Sequence, residues 1–363
     1  MTERIADASP NTVAGESVPE SYWTARRGAA FIGLSSRGRI VLTGADRASY
    51  LQGLLTNDIE ALKPGEGCYA LLLTPQGRVM ADMNVFNLGE EILLDVHESV
   101  TELLVERFQE FVFTEDVKVE DRTESWTVLA VHGPDAARLV AELVCPTDDL
   151  GGDRCSEYRH ARGHVDASPV VVARSHEIGE IGFQIFVRAK VAAPLRASLA
   201  DAGALPLQEE MFNLLRLESG RPAFPADLDS DTIPLEAGIE GRAISQSKGC
   251  YVGQEVIIRI LHRGHGRVGR RLVRFSFPPE ADPPEAGSAV MSADRPDGEP
   301  VGFITTSAFS PAIGRPIALG YVKRDLADPG SHLIVTTEDN RIPASVVSGS
   351  VIKTGRDPGP VRC

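Results

Sequence analysis

The densest run of chemically able side chains in this sequence is Lys248-Gly249-Cys250-Tyr251-Val252-Gly253-Gln254-Glu255. Two glycines bracket a thiol and an aromatic ring, with an amine, an amide and a carboxylate alongside. Glycine permits tight curvature and close approach of a ligand to the backbone. A positive charge at Lys248 would favour the thiolate of Cys250. Tyr251 offers a flat face and a hydroxyl, and Gln254 and Glu255 offer hydrogen-bond pairs for a heterocycle edge. The same residues also fit a plain turn around an inert cysteine, because a free cysteine packs as a small hydrophobe.

A basic run follows directly: Arg259, Arg263, Arg267, Arg270, Arg271 and Arg274, with His262 and His265 and no acid among them. The whole chain carries a formal charge of −14, so this run reverses the local field. It reads either as a solvated strand at a domain seam or as an anion-capturing strip. Nucleic acid is a poor partner for so acidic a chain. Within the run, Gly264-His265-Gly266-Arg267-Val268-Gly269 fits a dinucleotide-binding pattern. The following Arg271–Phe277 is strand-like where that fold needs a helix, which removes the nucleotide reading. Cys155, His160 and His164 have loosely metal-like spacing but no second cysteine pair, so no metal site is expected.

The octapeptide resembles the signature of the YgfZ family of folate-binding proteins, which is related to the T-protein (aminomethyltransferase) of the glycine cleavage system. Further stretches resemble that family in its own order. They are Leu51-Gln52-Gly53-Leu54-Leu55-Thr56-Asn57-Asp58, Leu73-Thr74-Pro75-Gln76-Gly77-Arg78 with Asp82, Arg216-Leu217-Glu218-Ser219-Gly220 and Ile233-Pro234-Leu235-Glu236. The resemblance implies an α+β fold: a ring of folate-binding modules with antiparallel sheets, plus a small C-terminal β-barrel. It implies tetrahydrofolate, in mono- or polyglutamyl form, held by Asp82 near its N10 side and by Glu218 on its pterin side, with Tyr251 and Gln254 in the same site. A carboxylate can accept two hydrogen bonds from the aminopyrimidinone edge of a pterin. It also implies an accessory role in assembly or repair of iron–sulfur clusters, with Cys250 as a functional thiol activated by Lys248. T-proteins carry an acidic-aromatic pair after Lys-Gly and a basic residue after the next Gly, where this chain has Cys250-Tyr251 and Gln254. Aminomethyl or other one-carbon transfer is therefore the alternative reading, and whether the chain is an enzyme is left open. A third reading is a folate-binding adaptor without chemistry, acting through Arg259, Arg263 and Arg267, which could also grip a polyglutamate tail.

These residues need a scaffold, and hydrophobic periodicity supplies one. Strands are expected at Arg39–Thr43, Tyr69–Leu73, Val79–Phe86, Ile92–Val96, Trp126–Val131, Val170–Arg174 and Phe183–Val187. Thr74-Pro75-Gln76-Gly77 has the chemistry of a hairpin turn. Helical spacing marks Asp46–Leu55, Val100–Phe111, Pro134–Leu143, Val191–Ala200 and Gln208–Glu218, the last ended by Gly220. Beyond Arg271, short β-branched runs recur at Leu272–Phe277, Val301–Thr306, Ile317–Val322, Leu333–Thr337 and Ile342–Val347, the pattern of a small barrel or sandwich.

The expected organisation is a mobile tail over 1–25, a two-part region over 26–266, a barrel over 267–352 and a second tail over 353–363. The polar stretch 145–169 reads as a long loop or insertion. The five cysteines, Cys68, Cys145, Cys155, Cys250 and Cys363, are scattered and odd in number, which suits reduced thiols rather than a disulfide framework. No apolar run reaches the length of a bilayer span, and no signal peptide is visible, so a cytoplasmic protein is expected. The expected partners are reduced folate and iron–sulfur client or assembly proteins, with no membrane.

Overall fold

A computed structural model describes residues 12–13, 16–152, 155–264, 266–338 and 340–349. The tail expected over 353–363 lies outside the described residues. Three large sheets organise the described residues, beside a two-stranded pair Thr12–Val13/Glu16–Ser17. The first is antiparallel, in the order Gly67–Leu73, Val79–Asn87, Ile92–His97, Arg37–Thr43, Lys118–Asp121. Helices Arg47–Leu54 and Thr101–Glu110 bury Tyr50, Leu51, Leu104 and Phe108 against one face of it. The helical stripes and the alternating strand positions fit one another, which is why this layer was readable from periodicity.

The second sheet runs His160–Val165, Ser168–Ser175, Gly182–Arg188, Trp126–His132, Ala30–Gly33, Leu205–Pro206. Helices Ala136–Val144 and Ala189–Asp201 cover one face, burying Leu139, Val140, Leu195 and Leu199. Its other face meets the first sheet. Phe86 of the first sheet and Phe186 of the second cross edge to face at 5.4 Å. The strands at this interface read as continuous apolar runs because both of their faces are covered.

Two expectations are corrected here. The stretch 145–169 is not all loop: His160–Val165 is a sheet strand paired residue by residue with Ser168–Ser175. It was missed because its inward residues are Ala161, Gly163 and Val165, too small to signal a strand. Nor is 1–25 all tail. Glu20–Arg27 is a helix whose Tyr22 and Ala25 are fully buried.

The third sheet closes into a six-stranded barrel: Arg270–Ser276, Arg315–Lys323, Gly302–Ser310, Ala289–Ser292, His332–Thr336, Arg341–Val347. Phe275, Phe277, Val290, Val322 and Val335 fill it. Closure leaves no exposed edge. Helix Glu209–Ser219 leads from the second sheet toward the barrel. It ends at Gly220, whose φ of +71° favours glycine, and a Cβ there would also displace the Arg274 guanidinium, 1.4 Å from its Nη2.

Candidate functional site

Where the sheets, the helix Glu209–Ser219 and the segment beyond it converge, they leave a cavity of about 380 Å³. Its wall includes Tyr69 and Asp82 of the first sheet, Tyr158 and Glu177 of the second, and Phe224 and Arg242 of the crossing segment. Flat rings with a few polar atoms are the usual lining of a small-molecule site, and the volume is ample for a bicyclic head group.

Asp82 stands opposite Leu71 in the Gly67–Leu73/Val79–Asn87 hairpin, and its side chain points inward. Tyr69 Oη donates to Asp82 Oδ2 at 2.9 Å. Asp82 Oδ1 is buried with no hydrogen-bond partner among the described residues. Burial, followed by the adjacent Asp82 charge, pushes the Tyr69 hydroxyl well above its ordinary range, so it stays a donor. The Arg242 guanidinium lies 4.0 Å from the Tyr69 ring centre and makes no ion pair with a described residue.

The other arginines of the wall are already matched. Arg37 forks onto Asp95, with Nε to Oδ1 at 3.1 Å and Nη2 to Oδ2 at 2.9 Å. Arg216 Nη1 meets Asp227 Oδ2 at 3.0 Å, and Arg221 Nη2 meets Glu157 Oε2 at 2.9 Å. Burial alone would raise Glu157, but Arg221 outweighs it and holds the carboxyl at about 2. These pairs form a rigid, locally neutral frame. Glu177 is the exception: burial raises its carboxyl above the ordinary range despite Arg37 and Arg221 nearby.

Of the residues expected to act in catalysis or to hold folate or an anion, Asp82 alone is in this wall. Glu218 is 0% exposed and lies at a seam instead. It accepts from Tyr22 Oη at 2.8 Å, Arg26 Nη2 at 2.5 Å and Ser310 Oγ at 2.5 Å, tying the first helix, Glu209–Ser219 and the barrel together. Those partners account for its conspicuous place in Arg-Leu-Glu-Ser-Gly.

The octapeptide is also placed away from the cavity. Lys248 Nζ donates to the backbone carbonyls of Gln52 at 2.6 Å, Leu55 at 2.5 Å and Asn57 at 2.9 Å. All three ammonium protons are thereby spent on the C-terminal end of helix Arg47–Leu54, where a cation also suits the helix dipole. The hydrogen bonds of the ammonium go to these carbonyls, with the Cys250 thiol not among its partners. Burial pushes the Lys248 amine down to about 8. Tyr251 is 7% exposed and packs with Tyr69, Leu71, Leu73 and Val79. Gly253, at φ +83°, presses on the hairpin turn; a Cβ there would come within 2.5 Å of the Thr74 carbonyl oxygen. Gln254 opens the short helix Gln254–Ile258. Cys250 is exposed.

The basic run divides. Arg259, Arg263 and Arg267 are exposed, whereas Arg270 Nε pairs with Glu236 at 3.0 Å and Arg274 Nη2 donates to the Ser219 carbonyl at 2.9 Å. No group of three or more potential metal ligands occurs among the described residues, and His160 instead contacts the Tyr158 and Asn87 carbonyls. No helix among them is long and apolar enough to cross a membrane.

Sequence reasoning missed Tyr69, Glu177 and Arg242. Tyr69 was visible only as a strand residue, and Glu177 and Arg242 lie in stretches with no periodicity to flag them.

Two inward-packed sheets with a barrel set against them, with a cavity between, define an α+β architecture. Residues 7–248 match the GCVT N-terminal domain, and residues 270–353 match the glycine cleavage T-protein C-terminal barrel domain. The chain therefore belongs to the glycine cleavage T-protein family. It is 31% identical over 325 residues to an aminomethyltransferase of Rubrobacter xylanophilus, spanning 89% of this chain and 82% of that one. It is also 31% identical over 342 residues to an aminomethyltransferase of Cutibacterium acnes, spanning 89% and 86%. The fold matches the crystal structure of glycine cleavage system aminomethyltransferase T from Bartonella henselae with a TM-score of 0.81, at 22% identity over 94% of this chain and 93% of that one.

Proposed function

We propose that the chain binds tetrahydrofolate in the cavity and acts on a one-carbon unit carried by it, as its aminomethyltransferase relatives suggest. The observation that carries this reading is Asp82 Oδ1: a buried acceptor with no partner among the described residues, on the wall of a ring-lined cavity. Leaving such an oxygen unsatisfied costs about 1–3 kcal/mol, which a ligand N–H would recover. The wall fits a reduced pterin in kind. Tyr69, Tyr158 and Phe224 offer apolar ring surface, and Arg242 offers a positive charge without an ion-pair partner among the described residues.

When bound, tetrahydrofolate supplies the nitrogen centres on which a one-carbon unit is carried. The protein's own part is to orient them. Tyr69 fixes Asp82 Oδ2, so Oδ1 alone is presented for a proton at the reacting nitrogen. The Arg37–Asp95 and Arg221–Glu157 pairs hold the wall rigid without adding net charge.

Anaerobic calorimetric titration with tetrahydrofolate tests the proposal. The expected dissociation constant is micromolar or tighter, about 8 kcal/mol of binding free energy. Asp82→Asn should weaken binding about tenfold or more. Absence of binding by the unaltered protein, with mono- and polyglutamyl forms alike, would refute it.

A second reading rests on one specific observation, the exposed thiol of Cys250. In it, the folate-loaded protein serves an iron–sulfur client through Cys250, with Arg259, Arg263 and Arg267 meeting an acidic partner or a polyglutamate tail. Loss of cellular function in Cys250→Ala, with folate affinity intact, would favour it over transfer chemistry.

A further inference from the structure

Among the described residues, four large apolar side chains stay exposed: Leu103 (44%), Phe111 (37%), Phe113 (79%) and Ile258 (41%). Removing such groups from water is favourable, so a cluster of them held at the surface points to something that covers it. The four fall into two patches of opposite charge. Leu103 and Phe111 stand eight positions apart on helix Thr101–Glu110 and its end, hence on one side of it, and Phe113 follows in the next turn. Glu115 Oε2 accepts from the Phe113 and Thr114 N–H groups at 3.0 and 2.9 Å, which fixes that turn with Phe113 in water. The exposed acids Glu102, Glu106, Glu110 and Asp116 belong to the same helix and turn. Arg107, 5.9 Å from the Phe111 ring centre and 3.9 Å from Glu110, offsets them only in part.

The other patch is basic. Ile258 ends the helix Gln254–Ile258, which continues as a π-turn over Arg259–Arg263. Arg259, His262, Arg263 and Arg267 are exposed there, against the exposed Glu255, and the three arginines form no ion pair with a described residue. The two patches sit at opposite ends of helix Arg47–Leu54. At its N-terminal end Asp46 Oδ2 accepts from the Asp116 N–H at 2.8 Å, and at its C-terminal end Lys248 reaches the Leu55 carbonyl at 2.5 Å.

We propose that two copies of this chain pair about a two-fold axis, each setting its Ile258 strip against the Leu103, Phe111 and Phe113 patch of the other. Opposite charges at opposite ends of one layer are matched twice when two such layers run antiparallel, and a contact of that kind closes on itself. An open head-to-tail row would leave one patch bare at each end. The chain thus supplies, from a second copy, the acidic surface that its basic strip fits. At about 0.15 M salt the Debye length is about 8 Å, so the net charge of −14 on each copy is largely screened and the facing rims decide. Few apolar anchors make a small interface, and small interfaces are transient, so the pair is reversible. The pairing is independent of what the cavity binds.

Sedimentation velocity of the full chain, from about 1 to about 100 µM in about 0.15 M salt, tests this. The mass should rise from 39.0 kDa toward twice that value across the range. Glu106→Arg, Arg263→Glu and Phe113→Ser should each weaken pairing about tenfold or more. All three positions are exposed, so urea midpoints should stay where they are. An equal mixture of Glu106→Arg and Arg263→Glu should pair again, because one copy then carries two basic patches and the other two acidic ones. A monomer throughout the range, a pair indifferent to these substitutions, or a mixture that stays monomeric would each overturn the proposal. The first of these would assign the patches to a different protein.

Discussion

Lys248, Tyr251 and Gly253 meet their partners within one loop laid against one hairpin and the end of one helix. Asp82, Glu177 and Arg242 reach the cavity from three separate segments, beside a few neighbours such as Asn84 and Phe224. The first region is dense in the sequence because it is a clamp: Lys248, Tyr251 and Gly253 each have a local packing duty. The second is sparse in the sequence because each segment supplies only a few side chains to the cavity. Local density of polar residues therefore marked a place where the chain holds itself together, and Cys250 is among the exposed members of that loop. Variants that separate holding from binding test this contrast.

The largest effect should come from the frame of the cavity. Glu157 is held at about 2 against an ordinary 4.5. Its folded pKa is depressed, so its stabilisation is fully present above about pH 4.5 and is lost as pH falls toward about 2. The difference corresponds to about 3 kcal/mol. Glu157→Gln should lower stability by that order at neutral pH, because Arg221 is left buried without its charge partner, and should flatten the acid side of the stability profile. Urea unfolding at several pH values measures both, and an unchanged slope below pH 4.5 would deny the pair this role.

Lys248→Met should cost less, about 2 kcal/mol. Three carbonyls lose their donor, while removal of a buried ammonium gives part of that back. The loss should appear as a lower urea midpoint with tetrahydrofolate affinity unchanged for the folded fraction. Asp82→Asn should behave in the opposite way, with affinity down about tenfold, or about 1.4 kcal/mol, and the urea midpoint nearly constant. If both variants lost affinity and stability in parallel, cavity and clamp would be one cooperative unit and the contrast would fail.

Much of the scaffold was legible because its signals are periodic. The hairpin around Thr74-Pro75-Gln76-Gly77, the helix closed by Gly220 and the run of barrel strands each announce themselves within a dozen residues. Asp82 was reachable only through resemblance, since nothing local distinguishes it from other strand acids. Glu218 and Lys248 were conspicuous for a reason that sequence does not display, namely partners about 190 residues away: Tyr22 and Arg26 for one, Gln52 and Leu55 for the other. Arg242 and Glu177 carry no pattern because their duty depends on which segments converge, and that is a property of packing.

The smallest physical effect should decide most about function. Cys250→Ala removes an exposed thiol that lies outside the cavity wall, so stability should change by no more than about 0.5 kcal/mol. Tetrahydrofolate affinity should be indistinguishable from that of the unaltered protein. Reversing charge at Arg263 and Arg267, both exposed, should be equally silent for stability. If monoglutamyl folate binding is also unchanged but the salt-dependent advantage of polyglutamyl folate disappears, those arginines grip the tail. A silent Cys250→Ala that restores full function in a cell lacking the protein leaves the cavity as the seat of activity and favours one-carbon transfer. A silent fold and a lost cellular function would instead make the clamp loop a presenting surface, with one residue facing outward for a partner.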